Sequence, residues 1–543
     1  MKYLSFLALL LFTLSACHIK KHADLIVINA KIYTVDSSFT IAEAFAVSDE
    51  KIVAVGTTKD ILRDFNANEE IDAQGKAVYP GFIDAHAHFL RYGQGLQNVN
   101  LVGTKSWKEI LEKVKAFADK NPEGWIIGRG WDQNDWSIKE FPDKVLLDSL
   151  FKNRPVMLSR VDGHAVIVNQ VALDSAGVVE GQKLVGGEIE VKNGKLTGIL
   201  IDNAVDLVSA KIPAFTRSQT EKGLIAAANN CFAVGLTTID DCGIDFEDAM
   251  LIDSLQKKGD LKMRLYVMLS DAEKNYKFLF EKGKIKTDFL NIRAFKVYGD
   301  GALGSRGACL LQPYADMPGH TGFLLSDPQH FKDVAQKIHD HGFQMCTHAI
   351  GDSANRTILK IYASVLKGKN DERWRIEHAQ IINPNDIKLF GENNIIPSVQ
   401  PTHATSDMYW AGDRLGKERL KSAYAYLELL KQNNWLPLGT DFPVEDINPM
   451  YTFSSAVTRQ DLNHFPKNGF QKENALSREQ ALRGMTIWAA KSNFEENEKG
   501  SLEVGKFADF VILEEDLMTA PNESLGKIKV SQTYIAGKNV YKK

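Results

Sequence analysis

Cysteine is scarce in this chain, with only five in 543 residues. No two of them have the Cys-x-x-Cys spacing typical of zinc ribbons and thiol oxidoreductases, which argues against both classes. Long apolar runs are also absent. A membrane-spanning helix needs roughly 20 apolar residues, so the sequence predicts no such helix. The net charge is −4 without a long basic stretch, so nucleic-acid binding is not expected. The 44% hydrophobic content is ordinary for a globular protein.

The N-terminus combines a charged start at Lys2 with an almost wholly apolar segment from Leu4 to Leu14. This segment is too short to span a bilayer and is typical of a signal-peptide core. The Leu-Ser-Ala-Cys ending is similar to a bacterial lipobox, which implies that Cys17 is lipidated. We therefore expect residues 1–17 to be a lipoprotein signal peptide and lipobox. Lipidated Cys17 would become the mature first residue and anchor the protein to a membrane of a bacterial cell envelope, periplasmic or surface-facing. An ordinary signal peptide cut near Ala16, or a buried N-terminal helix, is the alternative.

Four cysteines remain once Cys17 is assigned to the lipobox, namely Cys231, Cys242, Cys309 and Cys346. An exported protein meets oxidising conditions in which disulfides form. The spacing of these four residues is nevertheless more typical of small core residues than of a disulfide framework. Their disulfide state stays open from the sequence alone.

The two ends of the chain share a pattern of short strands. Residues 24–78 alternate apolar segments with Gly or Asp breaks, and segments such as GSLEVGKFADFVIL repeat this style near the C-terminus. Such patterning predicts a small β-sandwich. We expect one composite domain formed by residues 24–78 and 496–543.

The middle of the chain, residues 79–495, alternates strand and helix patterns and predicts an α/β fold, a (β/α)8 TIM barrel. The eight candidate strands are Tyr79–His86, Leu236–Asp240, Met263–Leu269, Ile292–Tyr298, Phe343–His348, Trp374–His378, Ile395–Gln400 and Leu436–Asp441. A large insertion of about 101–217 follows strand one, and we expect it to cover the barrel mouth. Trp131, Asp132 and Trp136 are expected to line this cover, and Trp410 to extend its wall.

Six side chains with metal-binding chemistry stand at the ends of predicted strands: His86, His88, Lys296, His348, His378 and Asp441. A barrel gathers the carboxyl ends of its strands at one mouth. Imidazoles and carboxylates are zinc ligands, and alternate residues such as His86 and His88 face the same side of a strand. Taken singly, each of these residues could instead have an ordinary structural role. It is improbable that six residues with metal-binding chemistry stand at strand ends by coincidence.

Lys296 requires a separate explanation because an ammonium group cannot bind a metal ion. Carboxylation of its amine by carbon dioxide would provide two anionic oxygens that bridge two cations. The alternative is a structural lysine paired with Asp300 or with another acid. Asp300 and Arg306 follow this lysine and are candidates for positioning it.

The chain resembles the amidohydrolase superfamily, and within it the family 3 branch of N-substituted formamide deformylase-like and exoenzyme regulatory protein-like hydrolases. The motifs that carry the resemblance are PGFIDAHAH, GRGWDQNDW, DGHAVIVNQVAL, KVYGDGALGSRGA, THAIGD, IEHAQ, QPTHATSD, GTDFPV and GSLEVGKFADFVIL. The resemblance implies that His86 and His88 hold one metal ion and that carboxylated Lys296 bridges it to a second. It also implies that His348 and His378 hold the second ion, and that Asp441 is both ligand and proton shuttle.

The expected function is therefore hydrolysis of carbon–nitrogen bonds other than peptide bonds, in a small-molecule amide or N-substituted formamide. A hydroxide that bridges two divalent ions, with zinc as the expected metal, would attack the carbonyl, and Asp441 would shuttle the proton. His164 and His403 are candidates for stabilising the oxyanion. The alternatives are a one-metal deaminase and a non-catalytic, ligand-binding surface lipoprotein. A homodimer is the default expectation.

Overall fold

The computed structural model describes residues 20–543. The predicted signal peptide and Cys17 lie outside these described residues. Within residues 20–543, no helix combines the length and the apolar character that crossing a bilayer requires. Three connected units make up the fold: a β-sandwich, a parallel barrel and an insertion sheet.

The N-terminal segment supplies most of the sandwich. Its elements are β1 (Lys21–Ile28), β2 (Lys31–Tyr33), β3 (Ile41–Ala42), β4 (Ala44–Ser48), β5 (Lys51–Gly56), α1 (Thr58–Asp64), β6 (Phe65–Asp72) and β7 (Ala77–Pro80). One sheet has the strand order β5-β4-β1-β6. Pro80 and Gly81 separate β7 from the first barrel strand, β8 (Phe82–Ala87), because proline cannot donate to a strand ladder. The predicted strand Tyr79–His86 is thus divided between two sheets.

The insertion follows α2 (Phe89–Gly95) and forms a sheet of its own. Its elements are β9 (Val99–Asn100), α3 (Trp107–Lys120), β10 (Ile126–Trp131), a 3-10 turn (Gln133–Asp135), α4 (Val145–Leu150), β11 (Val156–Arg160), β12 (Ala165–Val168), α5 (Gln170–Ala176), β13 (Gly187–Lys192), β14 (Lys195–Asp202) and α6 (Val205–Ser209). The strand order is β13-β14-β12-β11-β10-β9. Trp131 and Trp136 are buried in the apolar core of this unit, among residues such as Leu158 and Ile199.

The barrel continues after α7 (Arg217–Ala233). Its elements are β15 (Leu236–Ile244), α8 (Phe246–Lys258), β16 (Arg264–Ser270), α9 (Glu273–Lys282), β17 (Ile285–Lys286), β18 (Leu290–Tyr298), α10 (Pro328–Asp340), β19 (Gln344–Ala349), α11 (Asp352–Leu366), β20 (Arg375–His378), α12 (Lys388–Glu392) and β21 (Ile396–Ser398). The sheet order β21-β20-β19-β18-β16-β15-β8 is parallel throughout. Short β17 pairs with β18 on the outside.

Residues 436–442 close the ring at the eighth position without forming a regular strand. Leu438 makes one parallel bridge with Val399 on one side. On the other side, the Ala85 amide donates to Leu438 O (3.2 Å) and the Asp441 amide donates to His86 O (2.7 Å). The predicted strand Leu436–Asp441 is therefore an irregular segment, since a proline near its start and the Gly-Thr-Asp turn interrupt the ladder.

The C-terminal part returns to the sandwich. Its elements are α13 (Pro401–Asp407), α14 (Ala411–Leu420), α15 (Tyr426–Asn433), α16 (Pro449–Thr458), a 3-10 turn (Lys472–Asn474), α17 (Arg478–Gly484), α18 (Ile487–Ser492), β22 (Phe510–Leu513), a 3-10 turn (Asn522–Lys527), β23 (Val530–Ile535) and β24 (Lys538–Lys542). The second sandwich sheet has the order β24-β23-β22-β7-β2-β3 and thus joins both chain ends. The predicted barrel with a two-ended sandwich and an insertion is confirmed.

The four cysteines inside the described residues are free. Cys231, Cys242 and Cys346 are buried, and Cys309 is partly buried. Burial raises the pKa of the Cys346 thiol, which stays protonated, and its side chain packs in the barrel with Cys242 and Tyr266. They act as small core residues, as the sequence favours.

Candidate metal centre at the barrel mouth

His86 and His88 stand at the carboxyl end of β8 and face the barrel axis. His86 is fully buried, and its Nδ1 lies 2.5 Å from Glu377 Oε2, a contact that directs Nε2 toward the mouth. His88 Nδ1 lies 2.9 Å from the Cys242 carbonyl oxygen and, as the donor, likewise leaves Nε2 free. Both histidines therefore present the Nε2 lone pair to one point.

His348 and His378 stand at the ends of β19 and β20. Their rings lie 4.5 Å apart between centroids, and the His378 ring is 4.7 Å from that of His86. Gln400 Oε1 lies 2.8 Å from His378 Nδ1 and orients that ring. Burial lowers the pKa of both imidazoles well below the usual range, so they are neutral. Neutral imidazole is the form that binds a metal ion.

Lys296 lies on β18 and is fully buried. Its Nζ is 3.1 Å from His86 Nε2 and lies over the ring of Tyr298, 5.1 Å from the centroid. Among residues 20–543 no acidic side chain forms an ion pair with it. Asp300, the partner considered from the sequence, instead accepts hydrogen bonds from the backbone amides of Ile350 and Gly351.

Asp441 stands in the segment that closes the barrel. Its Oδ1 lies 3.2 Å from His88 Nε2 and 3.5 Å from His86 Nε2. Burial opposes its ionisation, but the contact with His88 and the neighbouring imidazoles outweigh burial and hold the pKa of Asp441 below its usual range. A side chain at Gly439 would come within 2.6 Å of the His86 backbone nitrogen, so glycine there permits this close approach.

The backbone at two of these positions is strained. His378 has φ of 72° and Asp441 has φ of 63°, which places both in the left-handed region that favours glycine. Non-glycine residues persist there only where the surrounding structure holds them, and such positions are concentrated at functional sites. The strain is therefore consistent with positioning of these side chains toward one point.

His164 and His403 reach the same mouth from outside the strand ends. His164 belongs to the insertion, and its ring lies 5.1 Å from that of His348. Its Nδ1 lies 2.6 Å from Asp202 Oδ1. His403, on α13, places Nε2 3.6 Å from Asp441 Oδ2, and His378, His403 and Asp441 form a cluster able to hold a cation. The sequence predicts His403 as a residue that stabilises the oxyanion, whereas its position beside His378 and Asp441 also makes it a candidate metal ligand.

A cavity of about 1020 Å³ opens above these residues. Lys296, His348 and Asp441 form part of its floor, and the insertion forms a wall that includes Asp132 and His164. Trp410 lines the cavity as expected. The expectation for Trp131 and Trp136 is wrong, because both indoles point into the core of the insertion, where apolar burial favours them more than exposure at the cavity.

Three partners of the candidate ligands were not identified from the sequence. They are Glu377 beside His86, Asp202 beside His164 and Gln400 beside His378. Glu377 carried one signal, because Arg375 and Glu377 are alternate charged residues of the short predicted strand β20 and therefore face the same side of it. The other two pairings join distant segments, and no local pattern marks them.

The acids flanking the site have mainly structural contacts. Asp84 accepts hydrogen bonds from the Thr440 amide (2.9 Å) and Thr440 Oγ1 (2.6 Å) and so joins β8 to the closing segment. Arg306 pairs with Asp316 at 2.9 Å rather than with Lys296. Asp300 Oδ1 is 3.6 Å from His348 Nε2, close to a ligand of the predicted second ion. Neither Asp300 nor Arg306 contacts the lysine that the sequence suggested they position.

The donor set fits divalent cations. His348 Nε2, His403 Nε2 and Asp441 Oδ1 are buried polar atoms without hydrogen-bond partners among the described residues. Leaving such atoms unpaired costs about 1–3 kcal/mol each, so a bound group is the natural partner. His86, His88 and Asp441 also place one ligand atom each within 4.8 Å of one another.

Comparisons with known proteins agree with this architecture. The model of the amidohydrolase family matches residues 69–541. The chain belongs to the amidohydrolase family. It is therefore a hydrolase, and the family predicted from its motifs is confirmed.

Two curated relatives and one solved structure span nearly the whole amidohydrolase. The chain is 34% identical to Protein LONG AFTER FAR-RED 3 of Arabidopsis thaliana, over 96% of this chain and 92% of that protein. It is 26% identical to an N-substituted formamide deformylase of Arthrobacter pascens, over 95% of this chain and 97% of that protein. An uncharacterized metal-dependent hydrolase from Pyrococcus furiosus has 28% identity and a TM-score of 0.72, covering 91% and 100% of the two chains.

Proposed function

We propose that this amidohydrolase is a metal-dependent hydrolase of non-peptide carbon–nitrogen bonds, with amides or N-substituted formamides as substrates. The observation that carries the proposal is the convergence of His86, His88, His348, His378 and Asp441 at one mouth, where His348 Nε2 and Asp441 Oδ1 have no hydrogen-bond partner among the described residues. The named activities of relatives point the same way: one is an N-substituted formamide deformylase and a structural neighbour is a metal-dependent hydrolase.

The two candidate ligand groups meet at Asp441. One group consists of His86, His88 and Asp441, and the other of His378, His403 and Asp441. The His348 ring lies 4.5 Å from that of His378 and extends the second group. Bound divalent cations, zinc in our proposal, would activate a water molecule and polarise the substrate carbonyl. Lys296 lies beside His86 and forms no ion pair with an acid in the part of the chain that the structure describes. We propose that it is carboxylated and would serve as a ligand shared by the two ions.

Asp441 is positioned to hold and release the proton of the attacking water. Its Oδ2 faces His403 at 3.6 Å, while Oδ1 faces the two β8 histidines. Its lowered pKa makes it an anion before reaction, so it accepts the proton and passes it to the leaving nitrogen. Protonation of that nitrogen prevents expulsion of an amide anion.

His164 is positioned to stabilise the carbonyl oxygen. Burial lowers its pKa, but the hydrogen bond to Asp202 and the charge of that carboxylate outweigh burial and raise the pKa of His164 overall. With Nδ1–H donating to Asp202, Nε2–H can donate to an oxygen in the cavity. A donor fixed in this way stabilises negative charge as it develops during attack.

Metal content and turnover test the proposal together. The purified protein is expected to bind two divalent ions per chain and to hydrolyse members of a panel of amides and formamides. Lys296→Ala is expected to retain less than the wild-type metal content and to lose turnover, and intact-mass analysis of the wild type is expected to show added carbon dioxide. Lys284→Ala, at the opposite end of the barrel, is the matched control.

A one-metal deaminase is the competing enzyme. One ion per chain, unchanged in Lys296→Ala, together with ammonia release from an amino-substituted ring and no amide hydrolysis, would favour it. A metal-loaded protein that hydrolyses neither class would favour the non-catalytic ligand-binding lipoprotein.

We also propose that Cys17 is lipid-modified and that the enzyme is anchored to a bacterial envelope membrane, periplasmic or surface-facing. The Leu-Ser-Ala-Cys sequence supports this. Expression with a labelled fatty acid is expected to label the wild type and not Cys17→Ala. A homodimer is the proposed solution state, and light scattering on detergent-solubilised protein tests it.

A further inference from the structure

We propose that the substrate carries a carboxylate, which Arg129 and Arg91 bind on the wall of the cavity. This inference rests on the proposed function and adds a substrate class to it. The carboxylate-bearing amides it selects include N-acyl amino acids and their formyl analogues.

Arg129 has an incompletely satisfied guanidinium group. It lies on β10 of the insertion and lines the cavity. One Nη donates to the Val161 carbonyl oxygen at 2.7 Å, while Nε is buried without any partner. Among residues 20–543 Arg129 forms no ion pair. An arginine in this state has donors available for an anion, and its planar fork matches a carboxylate.

Arg160, on the neighbouring strand β11, provides the internal contrast. It lines the same cavity, but it donates to Asp132 (2.5 Å), to Asp162 and to Gln133 Oε1 (2.9 Å). Its charge is thus matched by two carboxylates. Arg129, one strand away, has no comparable partner, so its positive charge remains available to a ligand.

Arg91 adds a second positive charge on the same wall. It follows His88 by less than one turn of α2, is exposed, lines the cavity and forms no ion pair among the described residues. Burial, followed by repulsion from Arg91, lowers the pKa of Arg129 to about 10, which still leaves it charged near neutrality. Two like charges on one wall repel unless an anion lies between them.

Among the described residues no acid forms an ion pair with either arginine. The charges of Asp162 and Asp441 act on Arg129, and those of Asp206, Asp241 and Asp245 act on Arg91, only from a greater distance. Asp132 and Asp162 are paired with Arg160. Asp407 accepts from Tyr424 Oη at 2.8 Å, and Glu445 accepts from Ser406 Oγ at 2.6 Å. Burial raises the pKa of Asp407 to about 7 and of Glu445 to about 8, which weakens their negative charge near neutrality. Asp135 faces Lys105 at 3.8 Å.

Both arginines lie beside segments that carry candidate site residues. The Arg129 guanidinium packs against Gly163, since an added Cβ there would lie 3.0 Å from its Nη. Gly163 directly precedes His164, and Arg91 lies in the first turn of α2, three residues after His88. A carboxylate between the arginines would hold a neighbouring amide over the metal centre.

A matched pair of substrates tests the inference. The wild type is expected to hydrolyse para-(formamidomethyl)benzoate with a lower KM than N-benzylformamide, which lacks only the carboxylate. Arg129→Gln is expected to raise KM for the benzoate substrate by about 10- to 100-fold, the effect of one charged hydrogen bond, without changing KM for the neutral one. Arg129→Lys should recover part of the difference, and Arg91→Gln should give a smaller increase because that side chain is exposed.

The control is Arg217→Gln, an exposed arginine on α7 that pairs with Glu221 and does not line the cavity. It should leave both KM values unchanged. Equal KM values for the two substrates in the wild type, or an equal change for both in Arg129→Gln, would overturn the inference.

Calorimetric binding of para-toluate to the metal-free protein separates this inference from the proposed function. Binding that is lost in Arg129→Gln supports carboxylate recognition even if no amide is hydrolysed. Hydrolysis of amides without Arg129-dependent toluate binding overturns the recognition while the proposed function stands. Absence of both toluate binding and hydrolysis overturns both.

Discussion

The barrel mouth and the insertion wall border the same cavity, yet they satisfy their polar groups in different ways. At the mouth, buried polar atoms such as His348 Nε2 and Asp441 Oδ1 have no hydrogen-bond partner within residues 20–543. On the wall, Arg160, Asp132 and Asp162 satisfy one another. The unpaired atoms at the mouth mark the place where we propose that a cation binds. The paired charges of Arg160, Asp132 and Asp162 shape the wall and contrast with Arg129 on the neighbouring strand, which we propose meets the substrate.

The largest effect is expected at the mouth, from Asp441→Asn. The substitution keeps the shape of the side chain but removes the proton acceptor, so kcat should fall by about 10²- to 10⁴-fold. Asp446→Asn, which also lines the cavity, is the control and should retain turnover. Steady-state kinetics with metal analysis measures both, and full activity of Asp441→Asn at full metal content would remove the proton-transfer role.

Breaking the pairing on the wall should affect stability rather than chemistry. Arg160→Ala leaves the partly buried Asp132 and Asp162 without their buried cation, so it should reduce the free energy of unfolding by about 3 kcal/mol. Arg129→Ala removes a single hydrogen bond and should cost about 1 kcal/mol. Urea unfolding of both variants measures the difference, and equal losses would show that the two arginines are equivalent structurally.

An intermediate effect, on metal affinity, is expected from Glu377, which lies inside the barrel and orients His86. Glu377→Gln weakens the contact that orients His86, so metal affinity should fall by about 10- to 100-fold. Exposed Glu479→Gln on α17 is the control. Competition with a chelator measures the affinity, and unchanged affinity in Glu377→Gln would show that β8 alone positions His86.

The smallest effect is expected in the sandwich, which serves as a reference region without a cavity role. Burial opposes ionisation of Asp516, but hydrogen bonds from Lys31, Tyr79 and Tyr33 outweigh it and lower the pKa of Asp516 to about 2. Its stabilising contribution is therefore present above the unfolded pKa and is lost as pH falls toward 2.

Asp516→Asn should accordingly lower the free energy of unfolding at neutral pH by about 1 kcal/mol, after allowance for solvent screening. The difference from wild type should disappear near the folded pKa, and turnover at neutral pH should not change. Urea unfolding over a pH series measures this, and a difference that persists at low pH would assign the effect to packing.

The mouth could be predicted from the sequence far better than the wall. Candidate ligands such as His86 and His378 stand at the ends of predicted strands, and the parallel strands of a barrel bring their carboxyl ends together by geometry alone. The contact between Glu377 and His86, the free donors of Arg129 and the inward rotation of Trp131 depend on segments distant in sequence. Those features follow from tertiary packing, which periodicity and motifs do not encode.

The closing segment has a consequence for how the enzyme matures. His86 belongs to the first barrel strand and Asp441 to the last position, and they become neighbours only when the segment at Leu438 seals the ring. During synthesis the N-terminal part folds before the C-terminal part emerges. The complete cation site therefore forms as one of the last events of folding, so incompletely folded chains lack a complete reactive centre.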